Sequence, residues 1–319
     1  MARVIVVGSI NQDITVTVDR FPDPGETLSG TSLSYGLGGK GANQAAAAAR
    51  SGVPVVFVGA VGSDLSGQRL RSDLASHGVD VTHLREVGGP TGTALITVTA
   101  SGENTIILDA GANRAASIEA ATASLTPAPS DVVVLQAEIP EDANAAAARW
   151  ARSFGAQVLL NLAPARPLQQ DLADALDKGK KINPKNYPSL LSSVDFLVVN
   201  ETEAGLTLGM PAPATPTEAI GTARALRGLG PQHVVVTLGA DGAAWAYGSE
   251  AGHHRAVALG EVVDTTGAGD ACVGALAAAI ALGMPFDEAV TAGMRAGSTA
   301  VLAPGAASSY EALPRLARS

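Results

Sequence analysis

Six short runs of apolar, largely β-branched residues recur along the chain, at Val4–Val7, Val55–Val58, Val132–Leu135, Val158–Leu160, Phe196–Val199 and Val234–Leu238. Ala-rich segments with helical spacing lie between most of them, at 42–51, 66–76, 141–153 and 217–228, and several end at a glycine. A strand that is apolar throughout must be covered on both faces, and strands alternating with helices pair in parallel through crossovers. The pattern predicts a doubly wound α/β fold, a largely parallel sheet flanked by helices. A chain of 319 residues carries this as one large domain (1–319) with a small attachment. With 46% hydrophobic and 16% charged residues it has ample material for a core and no compositional case for disorder.

Residues 14–37 and 91–108 break the pattern. Ile14-Thr15-Val16-Thr17-Val18 and Thr93-Ala94-Leu95-Ile96-Thr97-Val98 alternate, and Ser101-Gly102-Glu103-Asn104 follows the second as a turn before Thr105–Leu108. Alternation suits a sheet with one wet face. Two insertions cannot bury much by themselves, so their sheet must lie over the main domain or against a second copy; a lid that also dimerises is the economical expectation. Residues 161–193 contain Pro164, Pro167, Pro184 and Pro188 together with Lys178, Lys180 and Lys181. That segment reads as a surface excursion with a short helix around 169–177.

The formal net charge is −9, and no basic run exceeds that lysine cluster. Nucleic-acid partners are excluded on this ground, whereas small anions are not, because a helix start or a bound metal holds phosphate without many basic side chains. Cys272 is the only cysteine, which rules out an intrachain disulfide and a multi-cysteine metal site and points to a reducing compartment. The N-terminus runs straight into a buried-strand pattern without signal-peptide features, and even the Ala-rich stretch 271–283 is too short for a membrane span. A cytoplasmic protein without membrane contact is expected. His77, His83, His233, His253 and His254 lack metal-ligand spacing and are expected at the surface.

The strongest chemical signal is Asp264-Thr265-Thr266-Gly267-Ala268-Gly269-Asp270, followed at once by the apolar run Ala271–Leu282. Small residues admit a ligand close to the backbone, and the helix start offers unpaired N–H groups and the positive end of a dipole. Asp270, at the entry to the helix, would hold a carboxylate beside the bound anion, able to take a proton from an attacking hydroxyl. A tight turn with Asp270 as a mere cap is the alternative; two acids bracketing Gly-Ala-Gly exceed what a cap needs. The second signal is Gly38-Gly39-Lys40-Gly41-Ala42-Asn43-Gln44, opening a helix. Gly36, Gly38 and Gly41 formally satisfy G-x-G-x-x-G, which raises a dinucleotide-dependent oxidoreductase, but the motif does not follow the first buried strand. A Walker A loop also fails, since Gly41 follows Lys40.

What remains is a Gly-rich loop with Lys40 and Asn43 beside Asn11 and Asp13 after the first strand. Such groups suit a polyhydroxylated ligand, whose hydroxyls want both donors and acceptors; an Asx turn and an exposed lysine are the plainer alternatives. Asn200-Glu201-Thr202-Glu203 and Thr237-Leu238-Gly239-Ala240-Asp241-Gly242 close two further buried strands, where ligands of doubly wound sheets gather. Carboxylates there can hold Mg²⁺ through water, and helix capping by Asn200 or Thr202 is an equal alternative.

Taken together, these segments resemble the ribokinase branch of the PfkB carbohydrate kinase family, over nearly the whole chain from Gly8-Ser9-Ile10-Asn11 to Gly305-Ala306. The resemblance implies an ATP-dependent sugar kinase with Asp270 as catalytic base and the backbone of Gly267, Ala268 and Gly269 as anion hole. Asn11, Asp13, Gly39, Lys40, Asn43 and Glu138 match sugar-binding positions. Asn200, Thr237, Gly239, Gly242, Gly269 and Met294 match nucleotide contacts, and Glu203 the acidic position linked to Mg²⁺ and phosphate. An activating monovalent cation, usually K⁺, is implied at Asp264, Thr266, Ala300, Ala303, Gly305 and Ser309. Lys40-Gly41-Ala42-Asn43-Gln44 after two glycines is similar to the ribokinase version, which implies phosphorylation of the 5-hydroxyl of D-ribose, with 2-deoxyribose or a related sugar as alternative and a homodimer through the lid. Glu138, without the resemblance, is an unremarkable loop acid. Three departures stand out: residues 177–192 look inserted, Leu162 stands where the family often has Pro, and Met294 stands where a polar residue often borders the adenine. A non-catalytic sugar or nucleotide sensor is the remaining alternative, and the intact Gly269-Asp270 pair argues against it.

Overall fold

The computed structural model describes residues 2–119, 121–165 and 190–316. The helix expected around 169–177 lies outside the described residues, as does most of the apparent insertion at 177–192. The strands are β1 (Val4–Val7), β2 (Asn11–Val18), β3 (Ser32–Gly38), β4 (Val55–Gly62), β5 (Val79–Val87), β6 (Gly92–Thr99), β7 (Asn104–Asp109), β8 (Val132–Gln136), β9 (Gln157–Asn161), β10 (Phe196–Asn200), β11 (His233–Thr237), β12 (Ala243–Tyr247) and β13 (Glu250–His254). The helices are α1 (Lys40–Arg50), α2 (Leu65–Ser76), α3 (Glu141–Ser153), α4 (Glu201–Leu208), α5 (Pro216–Arg227), α6 (Ala268–Ala281) and α7 (Phe286–Ala300).

Among the described residues the large sheet has the order β13-β12-β11-β10-β9-β8-β1-β4-β5. Its strands from β5 to β11 pair in parallel, and the β12–β13 hairpin adds an antiparallel edge. The doubly wound architecture read from the sequence is therefore the observed one. Alternation along each central strand divides the core. Val4 and Val6 face a cluster containing α6 and α7 residues such as Val273, Leu276 and Val290. Ile5 and Val7 face the opposite cluster with Ala147, Ala148 and Ala151 of α3 and Ala223 of α5. Beyond Asp270 in its first turn, α6 is apolar all round and nearly every residue of it is buried, as a helix packed between neighbours must be.

The second sheet has the order β3-β2-β6-β7, with β2 and β6 parallel and the outer pairs antiparallel. β5, β12 and β13 were not evident from apolar runs: β5 has only Val79 and Leu84 buried, and the β12–β13 hairpin is rich in Ala, Gly and His, residues of modest strand preference. The histidines depart from expectation, since all five are half-buried. His233 stacks between Phe196 and Tyr247, with ring centroids 4.4 and 5.6 Å away, and meets Phe286 at 4.7 Å. Burial lowers its pKa. Spacing in sequence carries no information about such neighbours, because they come from three different elements.

Candidate active site

Strand order reverses between β1 and β8, since β1 leads outward to β4 and β5 while β8 leads the other way to β11. A crevice opens at the carboxyl ends of strands at such a reversal. Here the chain leaving β1 passes into β2, and the chain leaving β8 carries Glu138 two residues beyond Gln136. Gly39, the N-cap of α1, has φ +89°, and a Cβ on it would lie 2.8 Å from the Asn11 nitrogen. A Cβ on Gly41 would lie 2.6 Å from the Ser9 nitrogen. The glycines thus let the first turn of α1 press on the chain between β1 and β2.

Glu138 ties these segments together. Its Oε2 accepts from Ser9 Oγ at 2.6 Å and from the Lys40 N–H at 3.0 Å, while Ser9 Oγ accepts from the Gly41 N–H at 3.2 Å. The plain loop-acid reading of Glu138 is replaced by a structural one with a carboxylate at the crevice. Asp13 lies over the Gly38 α-carbon so closely that a Cβ there would overlap its carboxylate. Burial, then the negative charges of Glu138 and Asp270, push the Asp13 carboxyl up to about 7. Lys40 answers this cluster: Asp270 above all, with Glu138 and Glu203, holds its pKa above the usual value against the opposing effect of burial.

Gly267, the N-cap of α6, has φ +75°, a left-handed backbone that favours glycine. The Tyr310 hydroxyl donates to the Gly267 carbonyl at 2.7 Å from a fully buried ring. Asp264 accepts the Thr266 N–H at 2.9 Å on one oxygen and the Gly305 N–H at 2.8 Å on the other. The turn before α6 is thereby stapled to the segment around Gly305. The Ala268 N–H makes a 3.3 Å bond to the Thr265 carbonyl, whereas the amides of Gly267 and Gly269 have no backbone partner among the described residues.

Asp270, 8% exposed, accepts from Asn43 Nδ2 at 3.2 Å and from Gln44 Nε2 at 2.9 Å. These bonds exist because α1 and α6 approach closely at Gly274, where a Cβ would stand 2.5 Å from the Gln44 carbonyl oxygen. Gln44 Nε2 also donates to Asn161 Oδ1 at 3.0 Å, and Gln44 Oε1 accepts from Gln136 Nε2 at 2.9 Å. Gln44, Gln136 and Asn161 escaped selection from the sequence. Their one signal is a polar residue ending each apolar run, since Gln136 closes β8 and Asn161 closes β9; a buried amide costs stability unless it is paired.

A cavity of about 1200 Å³ lies between the small sheet and the N-terminal ends of α1 and α6. Asn11, Asp13, Gly39, Lys40, Asn43, Glu138 and Asp270 line it, with Asp264, Thr266, Gly267 and Gly305 on one side and Ala94, Ile96, Ile106 and Leu108 of the small sheet as its roof. The other selected residues lie outside it. Asn200 and Glu203 form a reciprocal capping box on α4, with bonds of 2.7 and 2.8 Å, so the capping alternative is realised there. Burial raises the Glu203 pKa, against the bond to Asn200 and the charge of Lys40. Thr237 Oγ1 donates to the Val199 carbonyl at 3.4 Å, while Gly239 and Gly242 take positive φ in the loop that follows. Met294 is buried in the α6–α7 side of the core. Ala300 ends α7, Ala303 follows it, and Ser309 Oγ donates to the Ala306 carbonyl at 2.8 Å.

The fold and site define a doubly wound α/β protein with a polar small-molecule cavity at the strand reversal, facing a glycine-fronted helix start. The sequence matches the pfkB family carbohydrate kinases over residues 1–313. It is 36% identical over 310 residues to the ribokinase of Haemophilus influenzae, covering 95% of this chain and 94% of that protein. A deoxyribokinase of Salmonella typhimurium is 33% identical over 279 residues, 86% of this chain and 84% of that protein. The solved structure of Arabidopsis thaliana ribokinase complexed with ribose and ATP superposes with a TM-score of 0.79 at 32% identity, covering 99% of this chain and 96% of that one. The chain belongs to the pfkB family of carbohydrate kinases. It is accordingly an enzyme, a sugar phosphotransferase. The dinucleotide alternative loses its footing, because Gly36 and Gly38 belong to β3 of the small sheet and not to a turn after a central strand.

Proposed function

We propose that this chain is a ribose kinase that moves the γ-phosphoryl group of ATP to the 5-hydroxyl of D-ribose. The observation that carries the reading is Asp270, oriented by Asn43 and Gln44 at the cavity wall, one residue beyond the uncapped amide of Gly269. Asp270 takes the proton of the sugar hydroxyl as its oxygen bonds to the γ-phosphorus and the bond to the bridging oxygen of ADP breaks. The Gly267 and Gly269 amides face the charge that develops on the phosphoryl oxygens, and Lys40 supplies a cation near both. Asn11, Asp13, Glu138 and Asn43 hold the sugar, and the Asn200–Glu203 and Thr237–Gly242 segments receive the nucleotide. Relatives named for ribose and for deoxyribose both match the chain, and 2-deoxyribose is the second candidate substrate.

Glu203 suits Mg²⁺ held through water and phosphate, since one or two carboxylates are enough for that ion; bound there it would neutralise phosphate charge. The Asp264 carboxylate, which already accepts the Thr266 and Gly305 N–H groups, is the oxygen ligand that a K⁺ ion would take on this side of the cavity. The small sheet acts as lid over the sugar and excludes water from the transfer. Its outer face places Tyr35, Ile14, Leu95 and Ile107 in one cross-strand row, and Tyr35, Leu95 and Ile107 are each at least half exposed. A second copy covering that row makes a homodimer.

Asp270→Asn tests the reading. It should retain ribose and ATP binding by calorimetry and lose about 10²–10⁴-fold in turnover in an ADP-release assay with Mg²⁺ and K⁺. Wild-type-like turnover in that variant would end the assignment, and ADP release that no sugar stimulates would favour a non-catalytic sensor.

A further inference from the structure

Asn113 is buried in the single turn Gly111–Ala115 that follows the lid strand β7. Its side-chain amide is oriented by groups whose roles cannot reverse. Oδ1 accepts the Ile10 N–H at 3.0 Å, and Nδ2 donates to the Ile10 carbonyl at 3.2 Å. The side chain thus pairs with the Ile10 backbone as a neighbouring strand would. Nδ2 also donates to Asn11 Oδ1 at 2.7 Å. Gly92 closes the arrangement from the lid side, where a Cβ would collide with both Asn11 Oδ1 and Asn113 Nδ2.

We propose that Asn113 is a specificity-determining positioning residue: by drawing Asn11 Oδ1 toward its own Nδ2 it turns the Asn11 NH2 group to the cavity, and so selects a sugar hydroxyl that accepts from Asn11 while donating to Asp13. The inference rests on the sugar reading of the cavity. Asn11 and Asp13 are two residues apart on one face of β2, and both line the cavity. A hydroxyl both accepts and donates, so it can bridge the amide and the carboxyl. Asn11 is 2% exposed, and removing the hydroxyl would leave its donor buried and unpaired, the circumstance in which polar sites reject analogues most strongly. Asn113 itself touches no ligand in this scheme. It converts the direction of the Ile10 N–H and C=O into the hydrogen-bonding polarity of the sugar site.

The test compares D-ribose with its 1-, 2- and 3-deoxy analogues in ADP release, for the wild type and for Asn113→Ala, with thermal unfolding to establish that both are folded. The wild type should lose about 10²-fold or more in kcat/KM on the analogue lacking the bridging hydroxyl. Asn113→Ala should compress that ratio by about ten-fold or more, chiefly through KM for ribose, because Asp270 and its partners are untouched. A purely structural role lowers activity on every sugar alike and leaves the ratio in place; that result in a folded variant overturns the inference. So does a wild type that uses all three analogues as well as ribose. Should Asn113→Ala not fold, Asn113→Asp keeps the shape and the acceptor for Ile10 but cannot donate to Asn11, and the same compression is expected of it. A wild type inactive on all four sugars defeats the ribose reading instead, and the ratio is then read on the hydroxylated sugar it does phosphorylate and the deoxy forms of that sugar.

Discussion

Gly274→Ala asks whether the close contact of α1 and α6 is what places Asp270, the proposed base. A Cβ on Gly274 would stand 2.5 Å from the Gln44 carbonyl oxygen, 2.6 Å from Ala47 Cβ and 2.9 Å from the Ala48 nitrogen, all on α1. Ordinary contact between such atoms is about 3.5 Å, so the two helices must part by about 1 Å at this point. The Gln44–Asp270 hydrogen bond, 2.9 Å long, then opens to roughly 3.9 Å and ceases to be one. The weaker Asn43 bond at 3.2 Å is lost with it. Overpacking a tight core costs about 1–3 kcal/mol, whereas a 1 Å error at a reacting centre costs about 10²-fold in rate. The expected variant is therefore folded, with Tm lower by several degrees and kcat lower by about 10²-fold. Steady-state ADP release at saturating sugar and ATP, beside thermal unfolding by circular dichroism, reads both quantities. A drop in Tm with kcat unchanged would refute the argument that helix contact positions Asp270, because the strain would have been relieved without moving the carboxylate's partners.

The raised pKa of Asp13, about 7 against 3.8 for the free side chain, means that the folded protein keeps a proton which the unfolded chain releases between those values. The stability this group contributes is full below about pH 4, declines as pH rises to about 7 and is level beyond. The Tm of Asp13→Asn minus that of the wild type should accordingly grow from pH 4 to pH 7, and a constant difference would contradict the burial argument. Tyr310→Phe deletes the 2.7 Å bond to the Gly267 carbonyl and should cost about 1 kcal/mol together with a measurable fall in kcat; an unchanged Tm would show that the turn before α6 does not depend on it. Ile107→Lys, at a position 70% exposed on the outer face of the small sheet, should convert the proposed dimer to a monomer in light scattering, and a wild type already monomeric at assay concentration removes the dimer proposal.

Much of the frame was legible because its causes are local. Continuous apolar runs can only be strands covered on both faces, and Ala-rich segments between them can only cross over. The expected helices at 66–76 and 141–153 match α2 and α3 within a residue. Capping at the start of α4 was open in the sequence as an equal alternative, by Asn200 or Thr202, and the structure realises it with Asn200 and Glu203, three residues apart. The Gly-Ala-Gly turn was equally legible as the start of a helix, because its conformational demands belong to those residues themselves.

The site is another matter. The negative charges of Glu138 and Asp270 help raise the proton affinities of Asp13 and Lys40, yet the four residues come from separate points of the chain, and no periodicity encodes which carboxylates will share a pocket. Gln44 within α1 and Gln136 and Asn161 at the ends of their strands looked like ordinary polar residues until packing brought their amides together. Gln44 meets Asp270 across 226 residues of sequence, and Asn113 meets Asn11 across 102. Sequence by itself determined the layers, the order of the elements and the turns, through steric and hydrophobic rules that act within a few residues. Tertiary structure alone decided which donor faces which acceptor, because hydrogen bonds depend on tenths of an ångström, and that precision arises only where helices and strands from remote segments pack in contact.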